Sequence, residues 1–236
     1  MKELWVPVSA AISQQNKVDT IANNVANANT PGYKKSDATF REYLTVLNNE
    51  GNDIGLPNKT WTPEDFYRTH GNEHSFVKTD GTFINFNQGP IKPTGNMYDL
   101  AIKGRGFFEV LTPNGPRFCR KGNFGINNEG KLITDQGYLV LGKSPQESKD
   151  EPQVDDNPKM RAIDIPQGKF SVTKEGQIIS DNKLIATLHI VEFNDPFSLK
   201  KEGDSFFINT HPENQKESNS SRIFQGYQEQ SNVNII

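Results

Sequence analysis

The sequence has little of what disulfide-bonded, membrane-spanning or nucleic-acid-binding proteins need. Its 236 residues include one cysteine, Cys119, which excludes an internal disulfide and a zinc site built from several cysteines. No run of 18 apolar residues occurs, and we therefore predict no membrane insertion. Lys and Arg number 26 against 29 Asp and Glu. No excess of positive charge is available to hold a nucleic-acid backbone, and we predict no nucleic-acid partner.

The N-terminus lacks the long apolar stretch of a secretory leader, and Glu3 lies within its first segment, MKELWVPVSAAISQQNK. We therefore predict no cleaved Sec-type signal peptide. Hydrophobic residues make up only 33% of the chain. Even with the glycines added, the apolar share stays below the roughly 45–50% of a typical globular chain. Thin β layers, or surfaces that are buried only against a partner, fit this composition better than one thick core.

Two motifs resemble ligand sites in composition but not in spacing. Gly104 and Gly106 form a Gly-x-Gly pair, but Glu109 stands where a third glycine is needed and a strand is expected to follow. We therefore predict a tight turn between two strands instead of a dinucleotide site. Asp155 and Asp156 lie in an acidic stretch without the alternating ligands and terminal Glu of a calcium loop. We predict no cofactor.

The histidines and the cysteine form no recognisable catalytic arrangement. His70 and His74 are four residues apart, but the Gly and Asn that follow His70 disfavour a helix that would direct both imidazoles at one metal ion. His189 and His211 have no partner nearby in sequence, and we expect both to be exposed. Cationic neighbours would favour a thiolate at Cys119, but a half-buried strand position is the preferred interpretation. We predict no metal site and no enzymatic activity.

Roughly the first 28 residues have the apolar spacing of a helix that packs against other helices. Ile12 and Ile21 widen the apolar face, and Pro7 falls in the first turns, where its missing N–H is tolerated. The helix should end before Pro31-Gly32. An ordinary amphipathic helix on its own domain remains an alternative, but no second long helix is predicted to pair with it. The seam positions, at alternating spacings of four and three, are Leu4, Val8, Ala11, Gln15, Val18, Ala22 and Val25.

From residue 98 the sequence changes to short β-type runs such as LAIKG, FFEVLT and YLVLG. Turn signatures separate them at roughly 8–12-residue spacing, which is typical of antiparallel hairpins in a sheet or barrel. Residues 211–221 are polar and are expected to be mobile. We expect the core of this β domain to draw on Leu100, Ile102, Phe107, Val110, Ile133, Val140, Val172, Leu188, Ile190 and Phe207.

Three segments resemble the flagellar rod and hook protein family. IANNVANANTPGYKK at 21–35 is similar to its N-terminal signature. YDLAIKGRGFFEVLTPNGPRFCRKGNFGINNEGKLITDQGYLVLG at 98–142 is similar to its β-domain signature. QGYQEQSNVN at 225–234 resembles the segment that leads into the family's C-terminal helix. Within the family, the length favours a rod subunit over the larger hook protein, and the resemblance is closer to the proximal than to the distal rod subunit.

The resemblance implies a structural subunit of the basal-body rod. It implies polymerisation through terminal helices around an export channel, with copies of itself and neighbouring rod and hook subunits as partners. It also implies export, without a cleaved leader, through the flagellar export apparatus to the periplasm-spanning rod. The fold class is then mainly β, antiparallel, with an N-terminal α-helix. Four regions are predicted: an assembly helix and signature loop at 1–35, an irregular or extended connection at 36–97, a β-rich domain at 98–220, and the start of a C-terminal assembly segment at 221–236. The helix expected after this last segment is absent from the sequence.

The alternative class is a β-rich ligand-binding module, either carbohydrate-binding or tail-fibre-like, with an aromatic platform formed by Trp5, Trp61 and Tyr67. A hook-type subunit of the same family is a further alternative. A seam helix has no role in a typical sugar-binding module, which favours the rod subunit. The predicted assembly interface comprises Leu4, Val8, Ala11, Gln15, Val18, Ala22, Val25, Asn23, Asn24, Asn27, Pro31, Gly32, Tyr33, Ser231, Asn232, Val233 and Asn234.

Overall fold

The computed structural model describes residues 5–46, 73–143, 158–166, 170–203, 205–218 and 220–234. Within these ranges the chain has one N-terminal α-helix followed by strands, and every sheet pairing whose direction is defined is antiparallel. The predicted fold class is confirmed. The chain divides into two compact units, one formed by 1–23 with 36–83 and the other by 24–35 with 84–236.

The N-terminal helix α1 spans Trp5–Ala26. Pro7 lies in its first turn, where no intrahelical donor is lost. The helix ends where the chain enters a series of turns, in which the N–H groups of Asn27 and Ala28 bond back to Asn24 and Val25. In the first unit, α1 is accompanied by a two-stranded sheet of β1 (Ser36–Val46) and β2 (Glu73–Ile84). The connection predicted as irregular or extended therefore contains two long strands.

The second unit consists of short strands that agree with the β-type runs in the sequence. Its strands are β3 Ile91–Pro93, β4 Leu100–Lys103, β5 Phe107–Thr112, β6 Gly115–Cys119, β7 Phe124–Ile126, β8 Leu132–Thr134, β9 Leu139–Val140, β10 Phe170–Val172, β11 Gln177–Ser180, β12 Lys183–Thr187, β13 Ile190–Phe193, β14 Lys200–Glu202, β15 Phe206–Ile208, β16 Gln215–Glu217, β17 Arg222–Gln225 and β18 Tyr227–Glu229. β16 lies inside residues 211–221, where a mobile loop was expected. That expectation is wrong because β16 pairs with β13.

The main sheet of the second unit has β5 at its centre. β5 pairs along one edge with β6 and along the other with β13 and β9. The path of the sheet runs β14-β15-β6-β5-β9-β8-β7, with β16 added beyond β13. β10, β11 and β12 form a separate three-stranded sheet. The Gly104–Gly106 segment is a tight turn between β4 and β5, as predicted.

The C-terminal strands return to the start of the second unit. β17 pairs with β4, with Ile223 opposite Ile102, and β18 pairs with β3, with Glu229 opposite Ile91. These pairings add residues on both sides of the region 98–220 to the second unit, which we call the β unit. They also bring the third signature segment next to the residues that follow β2.

The core forms two apolar clusters on β4, β5, β6, β13 and neighbouring segments. Eight of the ten predicted core residues are buried, and Val172 is partly buried against the larger cluster. Ile133 was predicted to be buried, but the structure buries its neighbours Leu132 and Thr134 instead. Because side chains alternate along a strand, an error of one residue moves a whole strand to the other face. Here the bond from Leu132 N to Ile163 O holds β8 in the observed position.

Candidate assembly site

The apolar face of α1 is uncovered. We define the apolar stripe as Val8, Ile12, Val18, Ile21 and Val25, whose exposed fractions are 45, 57, 57, 51 and 50%. The small or polar seam positions Ala11, Gln15 and Ala22 are exposed as well.

The few described side chains of α1 that are withdrawn from solvent are mainly polar, although most other polar residues of the helix are exposed. Ser13 is 3% exposed and Asn24 is 6% exposed, and Ser9 and Thr20 are partly buried. An amphipathic helix on a single soluble domain turns its apolar stripe inward. In α1 this arrangement is reversed, which indicates that the apolar stripe is available for another surface.

Immediately after α1, the chain enters a buried contact region that we call the terminal junction. It consists of Asn24–Lys35, residues 85–90 and Glu229–Asn234. Tyr33 is fully buried, and its hydroxyl donates to Asn24 Oδ1 at 3.2 Å. The Lys201 ammonium lies 3.9 Å from the centroid of the Tyr33 ring, a cation–π contact. Tyr33 therefore contacts both Asn24 and Lys201, which belong to the second unit with it.

Gly32 is required by both its backbone and its surroundings. Its φ is +67°, a conformation that side-chain-bearing residues rarely adopt. A Cβ there would lie 2.5 Å from Lys121 N, a backbone atom. The Gly32 N–H donates to Glu229 O at 2.8 Å. The glycine thus lets the N-terminal segment approach β6 and β18 closely.

A buried ion pair joins the two ends of the chain. Lys34 Nζ donates to Glu229 Oε1 at 2.7 Å and to Asn87 O at 2.8 Å. The exposed fractions of the Lys34 and Glu229 side chains are 0 and 1%. The same carboxylate oxygen accepts from Gly89 N at 3.0 Å. Residues separated by 195 positions in the sequence therefore meet in a nearly water-free contact.

Arg120 brings a second cation to the same carboxylate. Its Nε lies 3.7 Å from Glu229 Oε2. Its terminal nitrogens donate to Gly106 O at 2.6 Å and Gly104 O at 2.5 Å, and the guanidinium lies 5.2 Å from the Phe107 ring centroid. The turn between β4 and β5 thus presents its carbonyls to a buried arginine, a role that the Gly-x-Gly spacing did not suggest.

Burial sets the electrostatics of this contact. Removal from water lowers the pKa of the Lys34 ammonium from its ordinary 10.5 to about 8; the Glu229 carboxylate opposes the shift, and the Arg120 guanidinium adds to it. Burial likewise lowers the pKa of Arg120. The terminal junction therefore contains charges that are costly to bury and that depend on one another.

Asn232 completes the junction with its amide group. Lys35 N donates to Asn232 Oδ1 at 2.7 Å, and Asn232 Nδ2 donates to Asn85 O at 2.7 Å and to Asn87 O at 3.0 Å. Ser231 beside it is 5% exposed. One side chain therefore bonds to three backbone groups in the segments that follow α1 and β2.

The predicted interface residues fall into two groups. Seven lie exposed on the helix, and Asn234 is exposed near the C-terminus, whereas Asn24, Gly32, Tyr33 and Ser231 are buried within the chain. Asn27, Pro31, Asn232 and Val233 are partly buried. Leu4 lies outside the described residues. The prediction missed Lys34, Glu229 and Arg120, although each lies within one of the three signature segments. The exposed helix residues are Val8, Ala11, Gln15, Val18, Ala22, Asn23 and Val25.

His189 was expected to be exposed, and this is wrong. Its Nδ1 lies 2.5 Å from Glu109 Oε2, and Arg161 donates to Glu109 Oε1 at 2.8 Å. Burial alone would raise the pKa of Glu109, but the hydrogen bonds with His189 and Arg161 outweigh it and hold that pKa below its usual range. This cluster joins β5 to the 158–161 turn and to the segment between β12 and β13.

The remaining candidates for chemistry do not converge. Cys119 is fully buried, and burial raises the pKa of its thiol to about 12, so a thiolate is disfavoured. His211 is exposed, as expected. Among the described residues, no group of three or more His, Cys, Asp or Glu side chains could hold a metal ion. His70 and the acidic pair at 155–156 lie outside the described residues, as do Trp61 and Tyr67.

Two family models match segments of this chain. A model of the flagella basal body rod protein matches residues 4–34, and a model of the flagellar hook protein FlgE/F/G D1 domain matches residues 101–182. The flagellar basal-body rod protein FlgF of Caulobacter vibrioides is 32% identical over 233 residues, which cover 99% of this chain and 83% of that protein. This chain belongs to the flagellar basal-body rod protein family.

Other rod-family relatives span the chain equally well. FlgG of Borreliella burgdorferi is 31% identical over 249 residues, covering 100% of this chain and 86% of that protein. FlgF of Mesorhizobium japonicum is 26% identical over 236 residues, covering 99% and 83%. These relatives are named as rod proteins and not as enzymes. Among the described residues of this rod-family chain, no helix is both long and apolar enough to cross a membrane.

Proposed function

We propose that this chain is a structural subunit of the flagellar basal-body rod and that it polymerises through the apolar stripe of α1. Its partners are copies of itself and neighbouring rod or hook subunits, and it reaches the rod through the flagellar export apparatus. The observation that carries the proposal is the reversed helix, with Val18 57% exposed and Ser13 3% exposed. Helices from neighbouring subunits would cover the apolar stripe.

The apolar stripe can supply the energy for such packing. Fully burying a Val or Ile side chain is worth ~1.5–3 kcal/mol, and each stripe residue still has about half of its surface to bury. The gain is therefore roughly 1 kcal/mol per residue per contact. One helix pair gains little after the entropy of association is subtracted, but the gain repeats in a polymer where each helix has several neighbours.

The terminal junction holds the start and the end of the second unit together. Gly32, Tyr33 and Lys34 are buried within the chain, and we assign them to this intramolecular role. In this proposal the exposed stripe makes the intersubunit contacts, and the buried part of the predicted interface stabilises the subunit.

A charge in the stripe tests the proposal. Val18→Asp places a carboxylate at a position that is 57% exposed in the single chain, and we therefore expect the folded subunit to tolerate it. In a helix interface the same carboxylate is unpaired, and burying it costs several kcal/mol, which weakens packing by about a thousandfold or more. We expect the Val18→Asp cell to make the protein but to be non-motile.

Asn16→Asp is the matched control because it adds the same charge to an exposed position outside the stripe. We expect normal motility from it, and an unchanged melting temperature of the β unit in both variants. We also expect the Asn16→Asp subunit to sediment with purified basal bodies and the Val18→Asp subunit not to do so. Normal motility of Val18→Asp at normal expression would contradict the proposal, and a lowered melting temperature would indicate an ordinary intramolecular helix.

A further inference from the structure

The β unit contains an open pocket that the proposed packing of α1 does not use. Its volume is about 390 Å³, within the roughly 300–1,000 Å³ range of ligand pockets. Ile91, Phe224 and Tyr227 provide apolar walls, and the two aromatic rings meet edge to face with centroids 6.0 Å apart. Residues of β3, β4, β17 and β18 all contribute. The pocket therefore lies on rigid, paired strands.

The polar character of the pocket comes mainly from one cation. Lys103 lines the pocket and is exposed. The side-chain amide of Gln88 is already engaged: its Nε2 donates to Ile102 O at 2.6 Å, and its Oε1 accepts from Gly104 N at 3.3 Å. The matching ligand is thus an apolar or aromatic group that carries a negative charge beside it.

The same β unit presents such a group on its surface. Phe197, in the 3-10 turn Pro196–Ser198, is 68% exposed. Asp195 precedes the turn, is exposed, and accepts from Phe197 N at 3.0 Å. Asn214 Nδ2 donates to Asp195 O at 2.7 Å and to Ser198 Oγ at 2.8 Å. The turn is therefore held rigid, with an aromatic ring and a carboxylate side by side, and little conformational entropy would be lost on binding.

We propose that the pocket lined by Phe224 and Tyr227 receives the Pro196–Phe197 turn of a second copy of this chain, with Asp195 placed near Lys103. This inference rests on the proposed function, because it requires subunits that pack side by side. The apolar stripe of α1 is a less suitable occupant because it runs along a 22-residue helix, far longer than the pocket. Met160 is 82% exposed, but the exposed ammonium of Lys159 beside it would repel Lys103.

The turn and the pocket are different patches, so the contact is of the heterologous type that builds rings or open filaments. The pocket holds only one or two side chains. The contact therefore sets the register between neighbouring subunits, and the helix stripe supplies most of the area.

A photoreactive aromatic residue identifies the occupant directly. Phe197 is replaced by p-benzoylphenylalanine, which keeps a ring at the tip of the turn, in the full chain mixed with an isotope-labelled copy. After illumination, we expect intermolecular cross-links to peptides containing 88–91, 103 or 224–227. The matched control places the same residue at Met160, which is at least as exposed, and should give no cross-link to those peptides.

Sedimentation velocity on Phe197→Ala measures how much the ring contributes to the affinity of self-association. Truncating a hot-spot aromatic residue at an interface costs about 2 kcal/mol or more, so we expect Phe197→Ala to weaken association about 30-fold or more. Association of Met160→Ala should be unchanged. Two outcomes would overturn the pocket contact and leave the proposed function intact. The first is that cross-links form only to other regions of the second copy. The second is that no cross-link forms under conditions where Val18→Asp still reduces association. Absence of any self-association would count against both.

Discussion

Replacing Glu229 by glutamine removes the carboxylate that faces both Lys34 and Arg120 in the terminal junction. The amide has nearly the same shape and still accepts from Gly89 N, so the change isolates the charge. Lys34 then remains buried without its counter-ion, and Arg120 keeps only the attraction of the Glu192 carboxylate. Removing one partner of a buried ion pair costs about 3–5 kcal/mol. Because Asn87 O still accepts from Lys34, we expect a loss of free energy of unfolding near the lower end of that range.

The structure also predicts that the two charges are coupled. Lys34→Met alone leaves Glu229 buried beside Arg120, and the double variant Lys34→Met/Glu229→Gln removes the pair together. Since each side chain is at most 1% exposed, we expect the double variant to lose less than the sum of the single losses by at least about 1 kcal/mol. Urea unfolding of the native protein and the three variants gives the free energies of this double-mutant cycle. Hydrogen exchange at the Gly32 and Lys35 amides reports local opening of the junction.

A more exposed ion pair is the control for this experiment. Arg117 and Glu202 are bonded to each other, with side chains 12 and 37% exposed. Because solvent screens this pair, Glu202→Gln should cost much less than Glu229→Gln. A loss of similar size at Glu229, or additive effects in the cycle, would refute the reasoning. Either result would mean that backbone hydrogen bonds alone hold the two ends of the chain together.

Two further predictions concern the same region. Gly32→Ala should destabilise the protein by at least about 2 kcal/mol, because it adds a backbone clash to the strain of a positive φ. The control is Gly137→Ala, where φ is +82° and the space is open, and it should cost only about 1 kcal/mol in urea unfolding. Equal losses in the two variants would argue against the clash. The lowered pKa of Lys34 means that the unfolded chain binds more protons between pH 8 and 10.5, so this group makes stability rise with pH across that window. Urea unfolding at pH 8 and pH 10 should show the rise in the native protein and lose it in Lys34→Met; the same rise in both would contradict the assignment.

Local patterns in the sequence predicted the helix and most strands of the second unit, but not β1, β2 or β16. The spacing of four and three along α1, with Pro7 at its start and Pro31-Gly32 after its end, requires only neighbouring residues to be read. Alternating apolar residues and turn signatures likewise predicted the hairpins, and most core positions followed from the same alternation. The family resemblance came from short signature segments, and it is confirmed by relatives that match nearly the whole chain.

The positions of residues far apart in sequence depended on tertiary structure. Ile133 was assigned to the wrong face because the register of a three-residue strand is set by its partners, not by its own pattern. His189 gained Glu109 and Arg161 through pairings that bring β5, the 158–161 turn and the start of β13 together.

The terminal junction shows the same division most clearly. The sequence contained Lys34 and Glu229 in two signature segments, but no local rule relates residues 195 positions apart. The pairing of β18 with β3 brings Glu229 beside the segment that follows α1. A charge is stable there only because its counter-ion is buried with it. The sequence alone thus determined which face of α1 is apolar. The tertiary structure decided that this face stays exposed and that Lys34, Arg120 and Glu229 are buried together.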